Sequence, residues 1–326
     1  MAPLFHFRIG RLTMQESQTR KIAILGAPVD SGASLRGCQM GPDAMRIAGM
    51  GEALQELGHE VRDFGNAEPA PLAREVPERG RARNIAMTAA WTESLMDHAT
   101  RIADAGWTPV FVGGDHSLAI GTVAGIARHA ATQGRELFVL WLDAHADFNT
   151  LESSESGHTH GMPVAMFCGI DGAEVYGAPL EHPVNPRNVT MMGIRSVDET
   201  EHDLVLDNNI DIHDMRAVDE IGFAGLTRAF IDRVRAVNGL LHVSLDVDFL
   251  DPDVAPGVGT TVPGGATVRE AHLIMELLHD SGLVTSVDLA EINPYLDDRG
   301  KTARLMRDLT ASLFGRRVMG RPPRRR

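Results

Sequence analysis

The chain has 326 residues, 43% of them hydrophobic and 23% charged, with 33 glycines, a globular composition that excludes a disordered or fibrous polymer. Its formal net charge of −13 argues against a nucleic-acid partner, because a phosphate backbone demands a basic surface, and an acidic field favours a cationic substrate. No apolar run approaches the roughly 18–20 residues that cross a bilayer, and the two cysteines, Cys38 and Cys168, lack disulfide-framework or metal-type spacing and fit a reducing cytoplasm.

Residues 1–20 read as an extension to one domain covering 21–315. They carry Arg8 and Arg11 but neither a sustained apolar core nor a small-residue cleavage site, so no signal peptide is expected. Short apolar runs then alternate with helix-like stretches. The runs are 21–27, 60–64, 109–113, 137–143, 189–193, 210–213, 240–246 and 284–288; several are continuous rather than alternating, as buried parallel strands should be. Helices are predicted over 42–57, which opens with Pro42 and stops before Gly58, over 82–105 ahead of Gly106, and over 267–281 and 301–314. The pattern predicts a single three-layer α/β/α domain with a mostly parallel sheet of about eight strands. The last stretch, 316–326, holds six arginines and no acid. A solvated tail is the plain reading, and docking on an acidic neighbouring subunit the sharper one.

In such sheets, sites form beyond the carboxyl ends of the strands. Four runs end on ionisable residues there: Asp115-His116, Asp143-Ala144-His145-Ala146-Asp147, Asp246-Val247-Asp248, and Glu291. Asp115 alone reads as a helix cap or turn residue. Asp143, His145 and Asp147 alternate, so an extended chain would put them on one side, and Asp246 with Asp248 would do the same. So many carboxylates and imidazoles are expensive to bury without a countercharge, which one or two divalent cations would supply. His116, Asp143, His145, Asp147, Asp246 and Asp248 can serve two ions if Asp143 and Asp246 bridge. This oxygen-rich set with two imidazoles suits Mn²⁺, with Co²⁺, Fe²⁺ or Zn²⁺ as rivals, and disfavours Ca²⁺.

Three motifs in order, GGDHS, DAHAD and SLDVDFLDP, resemble those of the ureohydrolases. The resemblance runs from about residue 22 to 314 and is most specific for bacterial arginases. Asn149-Thr150, Ser156-Gly157, His160-Gly161-Met162-Pro163, Gly193 to Asp198 with Glu201, Ala255 to Thr260 and Glu291 to Pro294 carry it, with Gly26-Ala27-Pro28, Gly37 and Gly41 to Ala44 near the start. It implies hydrolysis of L-arginine to L-ornithine and urea by a hydroxide bridging two Mn²⁺. One ion would take His116, Asp143, Asp147 and Asp246, and the other His145, Asp143, Asp246 and Asp248. Asp147 would also hold the hydroxide, and Thr260 and Glu291 the guanidinium. His160 would shuttle protons, Asn149, Ser156 and His158 would face the α-carboxylate, and Asp198 and Glu201 the α-ammonium. The family also suggests a homo-oligomer, trimeric or hexameric.

Two positions depart from the family: His158 stands where arginases usually have Asn, and Thr261 where they commonly have Pro. His158 either donates as a neutral imidazole or, once protonated, adds a charge to carboxylate binding. The alternatives to arginine hydrolysis are an agmatinase or other guanidino ureohydrolase, a zinc amide deacetylase of related architecture, and a catalytically silent metal-binding protein. Storage would need the six ligands but not His160, Thr260 and Glu291.

Overall fold

All eight apolar runs become strands, within two residues of the expected bounds. They are β1 (Lys21–Ala27), β2 (Glu60–Asn66), β3 (Thr108–Gly113), β4 (Leu137–Leu142), β5 (Val189–Ile194), β6 (Asp211–Asp214), β7 (Leu240–Asp246) and β8 (Val284–Ala290). In the computed structural model, which describes residues 19–170, 172–176 and 181–317, they form one sheet in the order β2-β1-β3-β8-β7-β4-β5-β6. Every pairing is parallel. The four strands that end in ionisable residues, β3, β8, β7 and β4, are thus the four central neighbours, and their carboxyl ends open on one edge.

The helices are α1 (Gly41–Ile47), α2 (Met50–Glu56), α3 (Ile85–Asp104), α4 (Leu118–Thr132), α5 (Pro163–Phe167), α6 (Glu199–Asp207), α7 (Met215–Ile221), α8 (Phe223–Ala236), α9 (Val268–Ser281) and α10 (Lys301–Leu313). The helix predicted over 42–57 is two helices. Gly49 sits between them at φ 81°, a left-handed conformation that turns the chain before α2. Among the described residues, no helix is long and apolar enough to cross a membrane.

Two hydrophobic cores make a single domain of three layers. Leu137, Val139 and Trp141 of β4 join residues of α3, α4 and α5 in one core. Phe138, Leu140 and Leu142 join residues of α8, α9 and α10 in the other. Burial on both faces explains why β4 reads as an unbroken apolar run. β7 and β8 differ: Leu241, Val243 and Leu245 enter the second core, but His242, Ser244, Ser286 and Asp288 are polar and fully buried. His242 Nδ1 meets Ser286 Oγ at 2.8 Å, and Thr122 of α4 donates to Asp288 at 2.8 Å. This polar row lies under α4 and carries Ser244 to the edge of the site.

Most of the N-terminal extension and residues 318–326 of the basic tail lie outside the described residues. At the tail's start, Arg316 pairs with Asp308 at 2.8 Å and Arg317 with Asp280, both acids of the same chain.

Candidate metal centre and substrate pocket

The ends of β1, β3 and β8 are locked together at Gly114. Its φ is 28°, and a Cβ there would lie 2.4 Å from the Ala27 carbonyl oxygen, so only glycine fits. The Gly114 carbonyl accepts the Glu291 N–H at 2.8 Å. Asp115 behaves as the turn residue it resembles in the sequence: it accepts from the Ser117 N–H and hydroxyl and from the Gly32 N–H.

His116 points into the edge, its ring stacked on Trp141 with centroids 4.0 Å apart, and its Nε2 meets Ser244 Oγ at 2.8 Å. Its Nδ1 faces Asp143 at 3.0 Å, Asp147 at 3.3 Å and Asp246 at 2.9 Å. His145 Nδ1 faces the other oxygen of Asp143 at 3.5 Å and Asp248 at 3.0 Å. The structure therefore gathers all six expected ligands. Two sets, His116-Asp143-Asp246 and Asp143-His145-Asp248, could each hold a metal ion, and they share Asp143. Asp246 contributes to the first set only; its Oδ1 accepts the Asp248 N–H at 2.8 Å.

The alternation expected along each segment is not what brings these groups together. Beyond β4 the chain bends: Asp143 accepts the His145 N–H at 2.7 Å, His145 bridges to Ser196, and Asp147 takes a left-handed φ of 49°. Asp246 and Asp248 are juxtaposed by the 3₁₀ turn Val247–Phe249. The convergence survives because each turn is fixed by a carboxylate accepting a backbone N–H.

The electrostatics of this cluster suit a cation. Burial, with Asp248 and Asp143 nearby, pushes Asp246 well above the usual carboxylate range. Burial also opposes charge on His116, but Asp143, Asp147 and Asp246 outweigh it and raise its pKa well above the ordinary value. His116 Nδ1 and Asp143 Oδ2 face each other, both are buried, and neither makes a hydrogen bond. Two orphaned atoms of this kind fit a site built for an ion that both would ligate.

A pocket of about 110 Å³ opens beside the cluster, lined by His145, Asp147, Asp246 and Asp248 on one side and Glu291, His160 and Thr260 on another. Glu291 is left-handed at φ 60°. Its Oε1 accepts the His116 N–H and faces His160 Nδ1, each at 2.9 Å. Cys38 Sγ lies 3.4 Å from its Oε2. Burial opposes ionisation of Glu291, but His160 and the His116 N–H hold its pKa below the usual range. Burial likewise opposes charge on His160, while Glu291 raises its pKa to about 9. Thr260 donates to Asp248 at 3.2 Å.

The mouth is polar. Asn149 donates to Asp198 at 3.4 Å and accepts from Ser153 at 2.8 Å, and Ser156 accepts the His158 N–H at 3.2 Å. Glu201 closes a capping box on α6 with Asp198 and accepts the Phe148 N–H at 2.7 Å; burial first, then Asp147, raises its pKa to about 8. All the expected substrate contacts line this one pocket. Burial, His160 and Arg83 all push the pKa of His158 below the ordinary imidazole value, in the direction of the neutral alternative. Cys38, Ser154 and Arg83 are neighbours that sequence reasoning missed. Ser154 sits within the motif-bearing loop two residues before Ser156, and Cys38 directly after Gly37, so their positions could have signalled them; Arg83 comes from a segment with no local motif.

A family model described as the arginase family matches residues 20–315. The arginase of Brucella melitensis is 56% identical over 299 residues, covering 92% of this chain and 97% of that protein. Among solved structures, the arginase of Bacillus caldovelox is 40% identical with a TM-score of 0.83, covering 92% of this chain and all of its own. The arginase of Entamoeba histolytica, solved with L-ornithine, is 28% identical with a TM-score of 0.82, covering 91% of this chain and 99% of its own.

Proposed function

The chain belongs to the arginase family, and from that premise we propose that it hydrolyses L-arginine to L-ornithine and urea in the pocket at the carboxyl edge of β3, β8, β7 and β4. The observation that carries the reading is the adjacency of two potential metal sets sharing Asp143 to a buried carboxylate, Glu291, that no ligand set uses. A guanidinium substrate needs such a carboxylate partner, and a metal store does not.

His116, Asp143, Asp147 and Asp246 would hold one divalent ion, and His145, Asp143, Asp246 and Asp248 the other. The oxygen-rich set with two imidazoles fits two Mn²⁺, with Co²⁺ as a rival. When bound, the ions supply Lewis acidity and a water of lowered pKa. Asp147 would orient the attacking water, and Glu291 with Thr260 would fix the guanidinium. His160, held protonated beside Glu291 with a pKa of about 9, is placed to give a proton to the departing amine. Asn149, Ser156 and His158 face the α-carboxylate, and Asp198 and Glu201 the α-ammonium. We place the enzyme in the cytoplasm as a homo-oligomer, a trimer or hexamer, on family grounds.

The test is urea and ornithine release from L-arginine after loading with Mn²⁺, with agmatine assayed in parallel. Turnover of L-arginine supports the reading. Preferential turnover of agmatine, which lacks the α-carboxylate, would replace it with an agmatinase, and no urea from either would leave only metal binding.

A further inference from the structure

The pocket lining includes Asp147, Asp198, Glu201, Asp246, Asp248 and Glu291 and no lysine or arginine. That surface suits the two cationic ends of an amino-acid substrate and repels its carboxylate. The mouth loop offers Ser156 and His158 as hydrogen-bonding groups, and the cationic lining group near them, His160, is engaged by Glu291 at 2.9 Å, so a charge free to meet a carboxylate would come from outside the lining.

The segment ahead of α3 supplies it. The Arg81 N–H donates to the Leu151 carbonyl at 3.0 Å, and the Arg83 N–H to the Gly157 carbonyl at 2.8 Å. Asn84, left-handed at φ 55°, donates to the Ser31 carbonyl at 2.8 Å. Two of these anchors pin the segment against the loop that carries Ser156 and His158, and the third ties it to Ser31 beyond β1. Gly157 itself is at φ 73°, and a Cβ there would lie 2.1 Å from the Arg81 carbonyl oxygen and 3.4 Å from Arg83 Cγ, so the stem of Arg83 runs beside the mouth loop. Its charge is felt at His158, whose pKa it lowers together with burial and His160. Arg83 is exposed, and among the described residues no carboxylate pairs with it.

We propose that Arg83, exposed beside the mouth loop, is a specificity-determining residue whose charge favours substrates with a free α-carboxylate, while His158 supplies a hydrogen bond. The inference rests on the arginine-hydrolysis reading. It assigns the two mouth residues separate tasks, charge from Arg83 and direction from His158.

The experiment measures KM and kcat for L-arginine, and KM or inhibition by L-argininamide, which keeps the guanidinium and loses the carboxylate charge. Wild type, Arg83→Gln and Arg83→Lys are compared at low and high salt. An exposed charge pair predicts that Arg83→Gln raises the KM for L-arginine about threefold at low ionic strength, a gap that closes near 1 M salt. Argininamide should be indifferent to the change, and Arg83→Lys should restore most of the arginine affinity. An unchanged KM for arginine, or equal losses for arginine and the amide, would overturn the proposal, the second by exposing a loop defect. Failure of the wild type to release urea from arginine would instead refute the function on which it rests.

Discussion

Glu291→Gln preserves side-chain shape and removes one charge. Glu291 is 2% exposed, so on the proposed function a bound guanidinium would meet the carboxylate with little solvent between them. Truncating one partner of a desolvated charge pair costs about 3–5 kcal/mol, which is roughly 10² to 10⁴ in kcat/KM at about 1.4 kcal/mol per decade. No metal ligand is touched, so metal content should stay at the wild-type level. A second signature follows from His160, whose pKa of about 9 depends on Glu291. A folded-state value above the ordinary 6.5 means that the pair's contribution to stability is complete below pH 6.5. It is lost as pH rises through 9. In the variant, burial acts on His160 unopposed by Glu291, and that pH-dependent step should shrink. Urea-release kinetics, metal analysis and denaturant unfolding of the metal-free proteins at pH 6 and pH 10 measure all three. A variant with full metal and kcat/KM within threefold of wild type would show that the guanidinium does not meet Glu291.

The metal assignment predicts that Asp143→Ala loses both ions, since its two oxygens face the two sets, while Asp248→Ala retains the ion held by His116, Asp147 and Asp246; metal analysis of purified variants decides it, and equal occupancy in the two would refute the shared-ligand geometry. Because burial, His160 and Arg83 all lower the pKa of His158, the KM for L-arginine should follow parallel curves from pH 7 to 9.5 in wild type and His158→Asn. A steeper wild-type rise would restore the charged-imidazole alternative. Glu201, raised to about 8 by burial, favours its protonated form in the fold. Its contribution is therefore complete below pH 4.5 and lost as pH climbs through 8. Denaturant unfolding of the metal-free protein should show Glu201→Gln losing less stability than wild type between pH 5 and pH 8.5, by an order of a few kcal/mol at most, and equal losses would count against a strained Glu201 carboxylate.

The strands were legible because burial on both faces leaves a short unbroken apolar run, and β4 is the clearest case. Their order across the sheet was not, yet the ends of β3, β4, β7 and β8 could be recognised by the abrupt change from apolar residues to Asp, His or Glu. The break at Gly49 escaped because the apolar pattern continues through it, and only the backbone requires the left-handed turn. α4 was left without bounds because Leu118–Thr132 is apolar nearly all round, which blurs helical periodicity, whereas α8 carries amphipathic spacing that could have been bounded. Cys38 and Arg83 come beside pocket residues from segments 253 and 75 positions away from the residues they neighbour, Glu291 and His158, and no local pattern encodes such a meeting.

The two departures from ordinary backbone geometry within the site point the same way as its chemistry. Asp147 at φ 49° and Glu291 at φ 60° are non-glycine residues in the left-handed region, each at a cost of about 1–2 kcal/mol. Neither is at a loose loop tip. The Asp147 carbonyl accepts the Val164 N–H at the start of α5, and the Glu291 N–H is donated to Gly114. Relaxing Asp147 would turn its carboxylate away from His116, and relaxing Glu291 would break its contact with His160. Strain held in place by hydrogen bonds from neighbouring elements is therefore located on two residues whose side chains must point away from the direction their strands would give them. The alternation read from the sequence failed at Asp147 for this reason: the site needs that carboxylate where an extended chain could not put it.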